Sequence, residues 1–301
     1  MPAWSITIII APYHVGLYDH RVGGGPLRIL SHGVARELEK FAPVSYVNIG
    51  PVDGFEGEIG RTFEIMRRIS AAVSKAVAND SFPLVLSGNC HGSAATVAGL
   101  RKSHPDLGVL WLDAHDDLDT PSTHENGYLD AMSASMMTGT SWHALMKTVP
   151  GHEPLDTERL VFCGLRDVSE LQRQTVEEAG VDVVWGNAGR KVDFSSELVK
   201  VLDRKKFRAT HVHLDLDVLD ESLGRVNDFP SPGGFLPQDL MDIMGVVPTK
   251  TDPTSLVVCS FDPRLEGGDT VASLAVRAIS TFFQRLKERK LLVDQKELVS
   301  S

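Results

Sequence analysis

A chain of 301 residues with 42% hydrophobic side chains is long enough to bury a full core. Its formal net charge of −10 argues against nucleic acid or an anionic membrane as partner. The opening apolar run, residues 5–10, is too short to span a bilayer and follows no basic leader or cleavage site, so the expected setting is the cytoplasm. Cys90, Cys163 and Cys259 all sit in or beside apolar strand-like runs, which speaks against disulfides. Proline and glycine are dispersed, with no low-complexity tract and no internal repeat, so residues 1–301 read as one domain.

In chain order, strand-like runs fall at 5–11, 44–49, 84–87, 109–113, 160–163, 181–185, 210–217 and 256–261. Helical patterns separate them. The clearest is the stripe Ile59, Phe63, Met66, Ile69, Val73 and Val77, which stops at Asn79. Another runs through Leu274, Ala278, Phe282 and Leu286 after an Asp269/Thr270 cap, and the charged stretch 285–296 reads as its fraying end. Continuous apolar strands separated by helices predict an α/β fold with a parallel sheet covered on both faces. Ligands gather at the carboxyl ends of the strands of such a sheet.

Two segments stand at such ends: WLDAHDDLD, residues 111–119, and HVHLDLDVLD, residues 211–220. They carry Asp113, His115 and Asp117, and Asp215 and Asp217. In extended chain residues i and i+2 point the same way, so each segment offers a row of ligands. Aspartates after a strand also cap helices and make Asx turns. Two clusters of the same spacing are harder to read as caps, and converging carboxylates would repel one another unless one or two divalent cations sat between them. There is no phosphate-binding G-x-x-x-x-G-K-[ST] loop, no G-x-S-x-G elbow and no C-x-x-C pair.

DAHDD with LDTP (113–117 and 118–121), HLDLDVLD, CGLRDV (163–168), GGGP (23–26) and FDPRLEGGDT (261–270) occur in one order along the chain. Together they resemble the ureohydrolase family of arginase, agmatinase, formiminoglutamase and relatives. The resemblance implies a three-layer α/β/α fold around a mainly parallel eight-stranded sheet. It also implies two divalent ions, manganese first, whose bridging hydroxide attacks a guanidino carbon, and a homo-oligomer, trimer or hexamer. Carried over, Asp113 and Asp215 bridge the ions, His115 and Asp217 complete one, and Asp117 belongs to the other. The turn SGNC, residues 87–90, puts Cys90 where the family has a histidine, with His91 the weaker alternative. A thiolate shifts preference toward zinc or iron. Cys90 is otherwise a small buried residue, or a nucleophile beside a histidine.

On the substrate side the resemblance puts Ser260 where an acidic residue grips the guanidinium. Asp130 falls at the place of a proton-carrying histidine, with His124 the nearby imidazole. Asp119, Asn126 and Ser169 fall where an amino-acid end is held, and an aspartate at the first would repel a carboxylate. Arg166 and Asp167 form an ion pair or line the pocket, Asp220 is a turn residue or a support behind the ligands, and Gly23 to Gly25 make a turn. The expected function is metal-dependent hydrolysis of a linear C–N bond in a guanidino- or amidino-type small molecule other than free arginine, N-hydroxyarginine among the options. The alternatives are a mononuclear, deacetylase-like zinc amide hydrolase keeping Asp113, His115 and Asp215, and a catalytically silent metal-binding homologue.

Overall fold

The computed structural model describes residues 2–293. Its strands are β1 (Ser5–Ala11), β2 and β3 (Tyr13–His14 and Leu17–Tyr18), β4 (Val44–Asn48), β5 (Ser81–Ser87), β6 (Gly108–Leu112), β7 (Leu160–Cys163), β8 (Asp182–Val184), β9 (Ala209–Asp215) and β10 (Asp252–Cys259). The helices are α1 (Gly25–Ser31), α2 (Val34–Leu38), α3 (Glu58–Ala78), α4 (His91–Leu100), α5 (Ser133–Thr138), α6 (His143–Met146), α7 (Glu170–Glu178), α8 (Phe194–Lys205), α9 (Pro237–Lys250) and α10 (Gly268–Glu288). Strands β2 and β3 form a separate antiparallel hairpin. The other eight form one sheet in the order β4-β1-β5-β10-β9-β6-β7-β8. Every pairing in it is parallel.

Alternation along the strands explains the three layers. Ile6, Ile8 and Ile10 of β1 pack with Leu256 and Val258 of β10 and with residues of α1, α2, α9 and α10. Ile9 faces the opposite way, with Val109 and Trp111 of β6, Phe63, Met66 and Ile69 of α3, and Ala94, Ala95 and Ala98 of α4. Helix α4 is buried along its whole length, which its small residues allow. Among the described residues no helix is long and apolar enough to cross a membrane.

Strands β10 and β9 slot between β5 and β6, which are consecutive in the sheet's path along the chain. The carboxyl ends of β5, β10, β9 and β6 therefore meet at the centre, a switch point where the chain must part. Several boundaries differ from expectation. Strands β6 and β9 stop at Leu112 and Asp215, and a 3-10 turn, Leu216–Val218, follows the second. Helix α3 ends as read, with Asn79 as its C-cap. Helix α10 is capped by Gly267 at φ 85° instead of Asp269 or Thr270, and Asp269 binds His32. Its end does not run on as a fraying helix. Lys290 turns left-handed at φ 58° and Leu292 pairs with Ala3, while the rest of that stretch, 294–296, lies outside the described residues.

The loop after β1 is pressed against the strand ends. A Cβ on Gly88 would stand 2.0 Å from the Tyr13 carbonyl oxygen, and one on Gly25 2.4 Å from that of Phe261. Neither neighbour is a flexible side chain, so the contact cannot be relieved cheaply. Gly88→Ala should lower stability by about 1–3 kcal/mol or more. Urea denaturation checks this, and an unchanged midpoint would mean that the loop can lift away.

Candidate metal centre

Each central strand end contributes to one buried cluster. Asp113, just past β6, accepts the indole N–H of Trp111 at 2.9 Å on Oδ2 and the backbone N–H of His115 at 2.7 Å on Oδ1. His115 Nδ1 lies 3.5 Å from Asp113 Oδ1 and 3.4 Å from Asp217 Oδ2, and its Nε2 lies 3.4 Å from Asp167. Asp217 reaches the cluster through the 3-10 turn after β9. Its N–H donates to Asp215 Oδ1 at 2.8 Å and its Oδ2 accepts Asn227 Nδ2 at 2.7 Å. Cys90, at the N-cap of α4, donates from Sγ to Asp215 Oδ2 at 3.0 Å and lies 3.2 Å from Ser260 Oγ.

Ligand atoms gather, all within 4.8 Å of one another in each set, as Asp113/His115/Asp217, as Cys90/Asp113/Asp117, and as Cys90/His213/Asp215/Cys259. Above them opens a cavity of about 430 Å³.

These groups suppress one another's charge. Burial, then the charges of Asp217 and Asp113, push Asp215 well above the usual carboxylate range. Burial, then Asp113 and Asp130, do the same to Asp117, and burial with Asp119 brings Asp116 to about 7. Burial also raises the Cys90 thiol. On Asp217 burial is outweighed by His115 and Asn227, which hold it below the ordinary range. Burial likewise opposes the charge on His115, but Asp217, Asp113 and Asp167 raise its pKa well above the usual value. Three carboxylate oxygens, Asp116 Oδ2, Asp117 Oδ2 and Asp217 Oδ1, are buried without any partner. A surplus of buried anionic donors with unpaired oxygens fits divalent cations.

The sequence profile of the arginase family matches residues 5–284. The chain belongs to the arginase family. The arginase of Bacillus caldovelox is 26% identical over 292 residues, 92% of this chain and 97% of that protein. Its native structure superposes with a TM-score of 0.81 at 25% identity, covering 94% of this chain and 98% of that one. The N(omega)-hydroxy-L-arginine amidinohydrolase of Streptomyces lavendulae is 30% identical over 190 residues, 62% of this chain and 63% of that protein. The proclavaminate amidino hydrolase of Streptomyces clavuligerus shares the fold, with a TM-score of 0.69 at 20% identity over 95% of this chain and 93% of that one. This arginase-family chain is accordingly a hydrolase of C–N bonds other than peptide bonds, and the family is one of binuclear metal-dependent enzymes.

Within this arginase-family site, Cys90, Asp113, His115, Asp117, Asp215 and Asp217 all come together. Their convergence does not come from extended chain. Asp117 is turned inward by a left-handed backbone, φ 50°, and Asp217 by its 3-10 turn. Asp215 groups with Cys90, His213 and Cys259, and is absent from the His115 set. His91 belongs to none of the three sets, and its Nδ1 lies 3.6 Å from Asp130.

Asp130, His124, Asn126 and Ser260 line the cavity. Asp130 is tied on both oxygens, one to the Cys90 N–H at 2.8 Å and the other to the Asn89 amide. His124 Nδ1 accepts the N–H groups of Asn126 and Tyr128 at 3.4 and 3.3 Å. Asp119 and Ser169 are absent from the cavity wall. Asp119 accepts Thr123 Oγ1 at 2.7 Å and Gln172 Nε2 at 2.9 Å and borders a separate cavity of about 140 Å³, so its charge is spent on the loop. Ser169 forms the capping box of α7 with Gln172.

Arg166 does not pair with Asp167. It donates to the carbonyls of Gly164, Asp217, Val218, Leu219 and Ser231, while Asp167 faces His115. Asp220 is a turn residue, accepting N–H groups from Ser222, Gly233 and Gly234. Gly23 and Gly24 lie in a 3-10 turn, and Gly25 opens α1.

Asn227 and Cys259 carry no motif of their own, and His213, which opens HLDLDVLD, receives no role from it. The alternation in HVHLD does put His211 and His213 on the face opposite Val212 and Leu214, a signal that a histidine lies inside the sheet.

Asp113 serves two of the three ligand sets, so Asp113→Ala should lower bound divalent metal by at least one ion per chain. Manganese at 100 times its Kd should stabilise the parent by about 2.7 kcal/mol, a thermal shift the variant should lack. Equal metal content in both proteins, by elemental analysis, would remove Asp113 as a ligand.

Proposed function

We propose that the chain hydrolyses a linear C–N bond of a guanidino- or amidino-type small molecule other than free arginine. The observation that carries the reading is the lining of the cavity above the ligand cluster. Asp116, Asp130, Asp167, Asp228 and Asp262 stand on it, and with Asp228 and Asp262 already paired to Arg21 and Arg264, the first three keep the wall acidic, which suits a head group rich in N–H donors. Arg21, the one guanidinium among the described lining residues, is already paired with Asp228, so a substrate carboxylate meets no free cation there. Ser260 offers a neutral hydroxyl at the floor, beside Cys90, where the resemblance expects a carboxylate.

Asp113, His115 and Asp217 would hold one divalent ion, an oxygen-rich set suited to manganese, and Cys90 with its neighbours would hold another. When bound, such ions supply water activated for attack at neutral pH and polarise the trigonal carbon. The residues of the chain orient the substrate and move protons. Because His124 Nδ1 accepts two backbone N–H groups, its neutral ring carries the proton on Nε2, on a side chain that lines the cavity. His124 is thereby suited to hold the substrate with an Nε2–H hydrogen bond, since a neutral ring is too weak an acid to give that proton up, whereas Asp130, engaged on both oxygens, positions the Cys90 turn.

A charge-assisted hydrogen bond contributes roughly 1.5–3 kcal/mol against about 1 for a neutral one. A serine in place of a carboxylate should therefore cost a strongly basic guanidinium about two- to thirtyfold in kcat/KM. Steady-state turnover of arginine, N-hydroxyarginine, agmatine, guanidinobutyrate and formiminoglutamate, under manganese and under zinc, tests this. Arginine matching or exceeding the others would overturn it.

His124→Gln should lower kcat/KM by about two- to tenfold, the worth of one neutral hydrogen bond, with metal content unchanged. Unchanged turnover in that variant would remove His124 from substrate binding.

A further inference from the structure

Tyr128 stands on the cavity wall, yet neither the sequence motifs nor the ligand cluster gives it a task. Its backbone is fixed by the loop it closes, the N–H donating to Asn126 Oδ1 at 3.1 Å and to His124 Nδ1 at 3.3 Å. Its ring is wedged between two others. Phe229 lies 6.1 Å away and His14 6.3 Å away, centroid to centroid.

Those neighbours locate the phenol over the ligand cluster. Phe229 meets the His115 ring edge-on at 5.9 Å, and His14 Nδ1 lies 3.3 Å from the amide nitrogen of Asn89, the residue before Cys90. Tyr128 therefore stands between the His115 side of the cavity and the Cys90 side. Burial, then the charges of Asp130 and Cys90, raise its phenol well above the ordinary value, so the O–H is intact at neutral pH.

That hydroxyl has no hydrogen-bond partner among the described residues. A largely buried tyrosine usually finds one. A donor held rigid, protonated and unengaged beside the ligand cluster is suited to a group on the substrate.

The atom it fits follows from the reaction. In a planar guanidinium or amidinium every nitrogen lone pair is drawn into the π system, so the head group offers N–H donors and nothing to accept. Its donors go to carboxylates, which are stronger acceptors than a phenol. When an oxygen adds to the trigonal carbon, the carbon becomes tetrahedral and lone pairs localise on its nitrogens. One of these can then accept the phenol O–H.

We infer that Tyr128 is a catalytic residue, donating a hydrogen bond to a head-group nitrogen whose lone pair appears only as the C–O bond forms. Such an interaction exists in the transition state and not in the bound substrate, so it acts on kcat. The C–N bond breaks with its electron pair on nitrogen, the proton that nitrogen gains is the one the added water gives up, and the phenol keeps its own. The inference rests on the hydrolytic reading above and adds the residue that stabilises its tetrahedral stage.

The test compares the full-length parent with Tyr128→Phe and with 3-fluorotyrosine placed at the same position. Tyr128→Phe removes the hydroxyl and keeps the ring, so metal content by elemental analysis and the thermal midpoint should match the parent. On whichever guanidino or amidino substrate the parent turns over fastest, kcat should fall by about two- to tenfold, the worth of one neutral hydrogen bond. KM should stay within about twofold of the parent, the mark of an interaction absent from the ground state. Fluorotyrosine keeps the O–H and should restore kcat.

An unchanged kcat in Tyr128→Phe, or a loss carried by KM alone, would overturn the inference and leave the hydrolytic reading standing. Loss of metal or of fold in that variant, or fluorotyrosine as slow as phenylalanine, would make Tyr128 a structural residue and overturn it as well. A metal-loaded parent that turns over none of the substrates would remove the reading and the inference together.

Discussion

Repulsion among carboxylates that cannot reach water governs this molecule. Asp113, Asp116, Asp117, Asp130, Asp215 and Asp217 are all buried at one end of the sheet. Like charges a few ångströms apart at an effective dielectric near 20 repel by about 4 kcal/mol per pair, so the surroundings must answer. Part of the answer is backbone: the N–H groups of Cys90, His115 and Asp217 each point at an aspartate oxygen. Part is side chain, in the indole of Trp111, the amides of Asn89 and Asn227, and the ring of His115. The remainder, with three oxygens unpartnered, is a demand for cations.

Bringing the carboxylates inward also strains the chain. Asp117 and Ser260 are non-glycine residues in the left-handed region, at φ 50° and 62°, a conformation that costs of order 1–3 kcal/mol. Tertiary hydrogen bonds hold both. The Asp117 carbonyl accepts Ala134 and Ser135 N–H groups at 3.0 and 3.1 Å, and Ser260 N–H reaches the Gly88 carbonyl at 3.1 Å. Arg166 does similar work for the turn that presents Asp217, gathering carbonyls that would otherwise be buried unpaired. Left-handed non-glycine residues also occur at turns away from the site, among them Asp80, Trp142 and Lys206, so what marks Asp117 and Ser260 is that each presents its side chain to the cavity.

The frame is more open to sequence reading than the site. Central parallel strands are apolar on both faces and announce themselves as short hydrophobic runs, the largely exposed edge strand β4 is marked by its valines, and the stripe of α3 is legible down to its Asn79 cap. The convergence of the oxygen and imidazole groups was legible too, although the i, i+2 rule found it for the wrong reason: Asp117 and Asp217 arrive through turns. Asp119 and Ser169 could not be placed, because the direction of a loop side chain is set by partners such as Gln172, more than fifty residues away from Asp119. His213 and Cys259 needed the β9–β10 register, which no single-strand pattern contains.

The donor atoms divide the floor into an oxygen-and-imidazole half around His115 and a sulfur half around Cys259, with Asp215 on the sulfur side. Exposure divides it the same way: the His115 side chain is 25% accessible, beside Phe229 and Asp167, whereas that of His213 is 0% accessible beneath Trp111. Thiolates neutralise more of an ion's charge than carboxyl oxygens do, so an ion on the sulfur side polarises water less. The two halves thus differ in both donor chemistry and access, with His115 on the open side and His213 and Cys259 fully enclosed at the strand ends.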